Sequence, residues 1–118
     1  KYKPVGNINF MKNFFLIQIL IFLFTPVLAD SLTTQKAYAA SILGGNLCFF
    51  RQGKLTKQSF VLNVENLMLK KGYDLDLLYK DNVRKAGKLI ANKLGNNCSN
   101  NNFLKDEEFM MQIANILR

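Results

Sequence analysis

The chain has 118 residues, 16 of them basic and eight acidic, and it contains no histidine. Without imidazole there is no serine or cysteine nucleophile activated by histidine, and no zinc site of the common histidine-containing kinds. The two cysteines are too few and too far apart for a thiolate metal site or a Cys-x-x-Cys redox motif, so we predict no metal and no cofactor.

Residues 1–29 have the pattern of a secretory signal peptide. Lys12 supplies a positive charge, residues 14–24 form an apolar run broken only by Gln18, and Ala29 closes the segment with a small side chain. This order of basic, apolar and small residues is typical of a signal peptide. The apolar stretch is shorter than the roughly 20 residues that a membrane-spanning helix needs. We predict cleavage after Ala29; the alternative is a leader retained as a membrane anchor.

Cleavage would leave residues 30–118 as a single helical domain of 89 residues. Met11 is then the expected initiator, and residues 1–10 are either an extended basic region of the leader or upstream sequence that is not translated. The remaining part has 13 basic and eight acidic side chains, a net charge of +5. That charge favours anionic surfaces weakly and falls short of a nucleic-acid footprint. The predicted location is the periplasm or the exterior.

Cys48 and Cys98 both lie in the predicted mature domain. Export would place them in an oxidising compartment, where two thiols in a small domain usually pair. A disulfide between them would close a loop of 50 residues, and in the chain-entropy model this contributes roughly 4 kcal/mol of stability. The alternative is one buried cysteine and one free thiol.

Four helical segments and no strand are predicted in this domain. The first covers about residues 32–52, with apolar side chains spaced three and four apart. Gly44 and Gly45 interrupt it, which indicates a bend or close packing against another helix. The second covers about residues 56–71, with Thr56 as its N-cap. One side of this helix is apolar and comprises Phe60, Val64, Leu67 and Met68. Val61, Leu62 and Leu69 widen that surface, which predicts a helix that is covered on more than one side.

The third predicted helix covers about residues 74–94, with Asp74 as its N-cap and a kink or a split near residues 80–82. Its buried stripe is predicted to comprise Leu75, Leu78, Tyr79, Val83, Ala86, Ile90 and Leu94. A loop rich in asparagine follows at residues 95–102, because Asn and Ser side chains bond to their own backbone. The fourth helix covers about residues 103–117. The prediction is an all-α, four-helix bundle-like domain in which Cys48 ties the first helix to the loop.

Two groups of carboxylates are candidates for chemistry. Asp74 and Asp76 are two residues apart, which places them on different sides of a helix start. Asp106, Glu107 and Glu108 crowd the start of the fourth helix, where the helix dipole favours negative charge. We interpret both groups as helix-terminal charges and not as a catalytic pair or a metal site, and we predict that the protein is not an enzyme.

Two surfaces are candidates for binding. Lys80, Arg84, Lys85 and Lys88 gather positive charge along one side of the third helix. They form either a solvated face or a contact for phosphate, an acidic polysaccharide or an acidic partner. Nucleic acid is not predicted, since no aromatic residues alternate with these charges. Phe49 and Arg51 beside Cys48 are the second candidate, with the ring of Phe49 either in the core or exposed to a partner.

The leader, the segment AASILGGNLCFF and the loop GNNCSN resemble those of small exported helical proteins of bacteria, including proteins of cyanobacterial type, which implies no particular activity. The single pair Cys48 and Cys98 is also similar to that of periplasmic acid-stress chaperones, which implies exposure of apolar surface at low pH. Helical periplasmic immunity proteins with a disulfide look similar too. Our leading hypothesis is an exported, non-enzymatic protein that binds an unknown protein in the cell envelope. The alternatives are a binder of anionic lipid or polysaccharide and a chaperone or immunity-like protein.

Overall fold

The computed structural model describes residues 31–118, and this part of the chain is helical without a strand. The predicted signal peptide and its cleavage site lie outside the described residues. Two short 3₁₀ helices cover Leu75–Tyr79 and Asn102–Lys105. The four α-helices are α1 (Leu32–Arg51), α2 (Lys57–Lys71), α3 (Asp81–Lys93) and α4 (Glu107–Leu117). The all-α prediction is therefore confirmed.

Side-chain caps define where three of these helices begin. The Ser31 hydroxyl accepts the amide of Thr34 at the start of α1. Thr56 caps α2 as predicted, since its hydroxyl accepts the amide of Ser59 at 3.0 Å. An N-cap oxygen satisfies an amide that has no partner within its own helix.

The third predicted helix is divided, which was one of its two predicted forms. Lys80 has an extended backbone (ψ 138°) between the first 3₁₀ helix and α3. Asp74 consequently caps the 3₁₀ helix, with its carboxylate accepting the amide of Asp76 at 2.9 Å. The break also turns Tyr79 outward, where it is 59% exposed. Its predicted place in the buried stripe is wrong, because the helical periodicity does not run through Lys80.

The fourth predicted helix is divided as well, at Asp106. The backbone of Asp106 is extended (ψ 96°), and its side chain accepts the amide of Phe109 at 3.1 Å to begin α4. The residues before it form the second 3₁₀ helix, which buries Phe103 against the ring of Phe109 at 5.4 Å. A continuous helix over residues 103–117 was the wrong prediction, since Asp106 is a cap and not an interior residue.

The core is organised around α1, which contacts the other three α-helices. Ala39, Ala40 and Ile42 on α1 are completely buried. The helix continues without interruption through Gly44, and a Cβ atom there would lie 2.9 Å from the carbonyl oxygen of Gly87 on α3. Of the two alternatives predicted for the glycine pair, close helix packing is the one observed.

The predicted disulfide between Cys48 and Cys98 is present. Their Cα atoms are 5.8 Å apart, and both residues are buried, with 4% and 1% of their surface exposed. Cys98 adopts a left-handed backbone conformation (φ 56°) inside the turn that follows α3. The bond therefore joins the last turn of α1 to the asparagine-rich loop and fixes a segment with little regular structure.

Candidate binding surfaces

The described residues hold no arrangement that resembles a catalytic centre. No group of three or more metal-ligating side chains occurs among residues 31–118. Asp74 and Asp106 bond to backbone amides at helix starts, as the helix-terminal interpretation requires. Two open depressions lie between α3 and α4, and Glu108 and Gln112 line both of them. One depression is lined by two carboxylates, Asp106 and Glu108, but it is open to solvent and Asp106 serves as the cap of α4.

The predicted basic side chains all lie on the surface, but the structure separates one of them from the others. Lys80, Arg84, Lys85 and Lys88 are all exposed. Lys80, Arg84 and Lys88 follow one another at intervals of four, so they lie along one side of α3. Lys85 is turned toward α4, where it lines a depression together with Glu108. Three of the four predicted cations therefore form a line.

Of the two alternatives predicted for the ring of Phe49, burial in the core is the one observed. Phe49 is buried at 7% exposure, with the ammonium group of Lys54 over its ring at 5.7 Å. Its neighbour Phe50 is the partly exposed one, at 38%, and it packs against Phe60 on α2 at 5.7 Å. The reason is helical phase, since Phe49 lies seven residues after the buried Ile42 and continues its face.

Arg51 is exposed, as predicted, but it does not share a surface with Phe49. Its guanidinium Nη1 donates a hydrogen bond to Oδ1 of Asn92 on α3, at 2.6 Å. Asn92 lies four residues after Lys88, which extends the line of cations on α3. The structure thus connects the two predicted binding candidates at a single place, through a contact between residues 41 apart in the sequence.

The sequence prediction missed an exposed apolar face on α2. Leu62 and Leu69 are 51% and 60% exposed, while Val64 and Met68 on the opposite side are buried. Leu62 and Leu69 are seven residues apart, so they lie on nearly the same side of the helix, two turns from each other. We expected α2 to be covered on more than one side, but no part of residues 31–118 covers these two leucines. Their spacing was visible in the sequence, but their exposure was not.

Tyr79 lies beside this apolar face. Its hydroxyl donates a hydrogen bond to Oε2 of Glu65 on α2, at 3.2 Å. Partial desolvation of the phenol, with that hydrogen bond and the charge of Glu65, raises the pKa of Tyr79 above its ordinary value of 10.0. At neutral pH the phenol is therefore a stable hydrogen-bond donor. We call Leu62, Leu69 and Tyr79 together the apolar face.

The comparison with known proteins found no relative of this chain. No family model, curated protein or solved structure matches the chain. The resemblances to small exported bacterial proteins, acid-stress chaperones and immunity proteins therefore stay predictions. Within residues 31–118, no helix combines the length and the apolar character that crossing a bilayer requires. The fold and the surfaces define a small all-α domain with one buried disulfide.

Proposed function

We propose that the protein is exported, loses its leader after Ala29, and binds another protein in the periplasm or outside the cell without catalysis. Three features support this proposal. The leader has the order of a signal peptide, the buried disulfide is suited to an oxidising compartment, and the chain lacks histidine for acid–base chemistry.

The observation that carries the binding proposal is the apolar face. Leu62, Leu69 and Tyr79 are each more than half exposed and lie in one place, whereas the other two side chains that are equally exposed, Leu32 and Met111, lie on α1 and α4. A group of exposed apolar side chains in one place favours an interaction site over scattered surface residues. Covering the exposed half of each leucine would contribute about 1 kcal/mol per residue. The expected interaction is therefore modest unless the contact extends beyond these three side chains.

The charges around the apolar face indicate the chemistry of the partner. Lys57 lies at the start of α2 and Lys70 at its end, while Glu65 is the single carboxylate of the helix. The ammonium group of Lys71 lies over the ring of Tyr38 on α1 instead, at 5.3 Å. Glu65 is already engaged by the hydroxyl of Tyr79. We infer that the partner presents an amphipathic helix whose apolar stripe covers the two leucines and whose ends are acidic.

A photo-cross-linking residue in place of Asn66 tests this proposal. Asn66 is exposed and lies between Leu62 and Leu69 along α2. In cells that make the protein, we expect one discrete cross-linked product that disappears in the variant Leu62→Gln/Leu69→Gln. Met111→Gln on α4 is the control, because Met111 is 59% exposed but lies on another helix. The absence of a specific product, or a product that persists in the double variant, would contradict the proposal.

The intact mass of the protein from its natural host tests the export part. We expect a chain that begins at Asp30 and lacks two hydrogens because of the disulfide. A chain that retains the leader and carries two free thiols would overturn it.

The acid-stress chaperone alternative receives less support from the structure. Unfolding triggered by acid needs carboxylates whose environment differs strongly between the folded and the unfolded protein. Glu65 is half-buried, and the other six carboxylates of residues 31–118 are exposed. A hydrophobic dye that binds the oxidised protein no better at pH 2 than at neutral pH would exclude this alternative.

A further inference from the structure

Cations from two helices form one continuous line on the surface. Lys80 is the residue before α3, and its carbonyl oxygen accepts the amide of Arg84 at 3.0 Å, so Lys80 belongs to the first turn of that helix. Lys88 follows one turn later, and Asn92, which holds Arg51 of α1, follows after another turn. The distance along the helix axis from residue 80 to residue 92 is about 18 Å.

The hydrogen bond between Arg51 and Asn92 positions a charge without neutralising it. The acceptor is an amide oxygen, at 2.6 Å from the guanidinium Nη1. A carboxylate in that place would have formed an ion pair and removed most of the local field. Asp81 is the one carboxylate within α3 itself, and Asp106 and Glu108 line the depression that Asn92 also lines. We name Lys80, Arg84, Lys88 and Arg51 the basic ridge.

We propose that the basic ridge binds a linear polyanion, a polymer that carries a carboxylate or a phosphate on each repeat unit. Its cations are spaced about 6 Å apart along α3, which suits a chain that follows the helix and offers its charges in sequence. This activity is separate from the proposed protein binding, because the ridge lies on α3 and α1 and the apolar face lies on α2 and the first 3₁₀ helix.

A single row of charges favours a polymer over a membrane or a nucleic acid. Peripheral membrane binding combines cations with apolar side chains that enter the interface, whereas the exposed rings that adjoin the ridge, those of Tyr79 and Phe50, lie only beside its end residues Lys80 and Arg51. Binding of single-stranded nucleic acid depends on aromatic rings on which bases stack. The ridge has none, and the exposed ring of Tyr79 next to it is tied to Glu65 on α2.

Retention by polygalacturonate and by inorganic polyphosphate, immobilised separately, tests the proposal with the oxidised full chain. The two polymers distinguish carboxylate from phosphate as the preferred group. With four cations engaged, the affinity should fall about 50- to 150-fold when the salt concentration rises fourfold. Binding that is independent of salt, or no binding to either polymer, would overturn the proposal.

Two double variants that lose the same charge distinguish binding by the basic ridge from binding by net charge alone. Arg84→Gln/Lys88→Gln should weaken binding about 10- to 30-fold at physiological salt and lower the logarithmic salt slope by about 1.5. Lys105→Gln/Arg118→Gln removes the same charge outside both proposed surfaces and should bind like the original protein. Equal losses in the two double variants would contradict the ridge, since only net charge would then matter.

Substitution of Arg51 tests whether a cation that reaches α3 only through the tertiary structure contributes to polymer binding. Arg51→Gln should weaken binding about fourfold, whereas Lys54→Gln, three residues later, should have no effect. All the substituted residues are exposed, and thermal unfolding checks that each variant retains its fold. If Arg51→Gln binds the polymer as well as the original protein does, Arg51 is not part of the basic ridge and this definition of the ridge is wrong. Stronger binding to phosphatidylglycerol vesicles or to a single-stranded oligonucleotide than to either polymer overturns the choice of ligand.

Loss of the cross-link at position 66 and loss of polymer binding are independent outcomes. The ridge variants should leave the cross-linked product unchanged, and Leu62→Gln/Leu69→Gln should leave polymer retention unchanged. Failure of one proposal is therefore distinguishable from failure of the other.

Discussion

The carbonyl oxygen of Gly87 on α3 lies 2.9 Å from the position that a Cβ atom on Gly44 of α1 would occupy. The same atom would lie 2.7 Å from Cγ2 of Ile90. Both distances are shorter than van der Waals contact. The two helices can approach this closely only because residue 44 has no side chain, and Gly44 thus sets the separation of α1 and α3.

Gly44→Ala should destabilise the protein by about 1 to 3 kcal/mol, the usual cost of overpacking a core. This loss is expected even though alanine is the better helix former by about 1 kcal/mol. Denaturant unfolding measures it. Gly87→Ala is the comparison, because its Cβ would lie 3.0 Å from Cβ of Leu43 and 3.3 Å from the carbonyl oxygen of Ala40, which are looser contacts than those at Gly44. We expect a smaller loss there. A Gly44→Ala variant as stable as the original would show that α1 and α3 have room to separate.

Removal of the disulfide should cost about 4 kcal/mol, as expected for a closed loop of 50 residues. The comparison is between the oxidised protein and Cys48→Ala/Cys98→Ala in denaturant titrations. Substitution is preferable to a reductant, because both cysteines are buried and a reductant would reach the sulfurs only after opening. Equal unfolding free energies for the two proteins would mean that the loop after α3 is held by packing alone.

Asn46→Ala should destabilise the protein by about 1 to 3 kcal/mol. Asn46 is completely buried, its amide nitrogen donates to the carbonyl oxygen of Ile42, and its Oδ1 accepts from Asn63 on α2 at 3.3 Å. Substitution leaves the amide of Asn63 without this partner and opens a cavity. Ser41→Ala is the control, since the equally buried Ser41 hydroxyl bonds within its own helix to Ala37. If both variants lost the same stability, the hydrogen bond between Asn46 and Asn63 would contribute no more to stability than a hydrogen bond within α1.

Glu65→Gln should lower the pKa of Tyr79 toward 10.0, because the charge of Glu65 is one of the causes that raise it. The absorbance of the phenolate during an alkaline titration, with Tyr79→Phe to identify the signal, measures this change. The raised pKa favours the neutral phenol in the folded state. Its contribution to stability is therefore present below pH 10 and is lost as the pH rises through the folded-state pKa. It is small, since Tyr79 is 59% exposed. An unchanged titration in Glu65→Gln would argue against an effect of the Glu65 charge on the phenol.

Much of the fold is encoded in local sequence patterns. Thr56 and Gly72 delimit α2 because a hydroxyl cap and a left-handed glycine act within a few residues of their own position. The pairing of Cys48 with Cys98 followed from there being two cysteines in a small domain. The helix breaks at Lys80 and Asp106 are harder to predict, since the same type of amino acid can be a cap or an interior residue of a helix. At Asp106 the periodicity of the flanking apolar residues concealed the break.

The sequence by itself determined the helical class, the caps at Thr56 and Asp74, the disulfide and the basic residues of α3, because each depends on local propensity or on a simple count. Only the tertiary structure decided that Phe49 is buried and Phe50 exposed, that Leu62 and Leu69 remain uncovered, and that Arg51 reaches Asn92. Those outcomes depend on which helix faces meet, and that choice is made by packing between residues far apart in the chain.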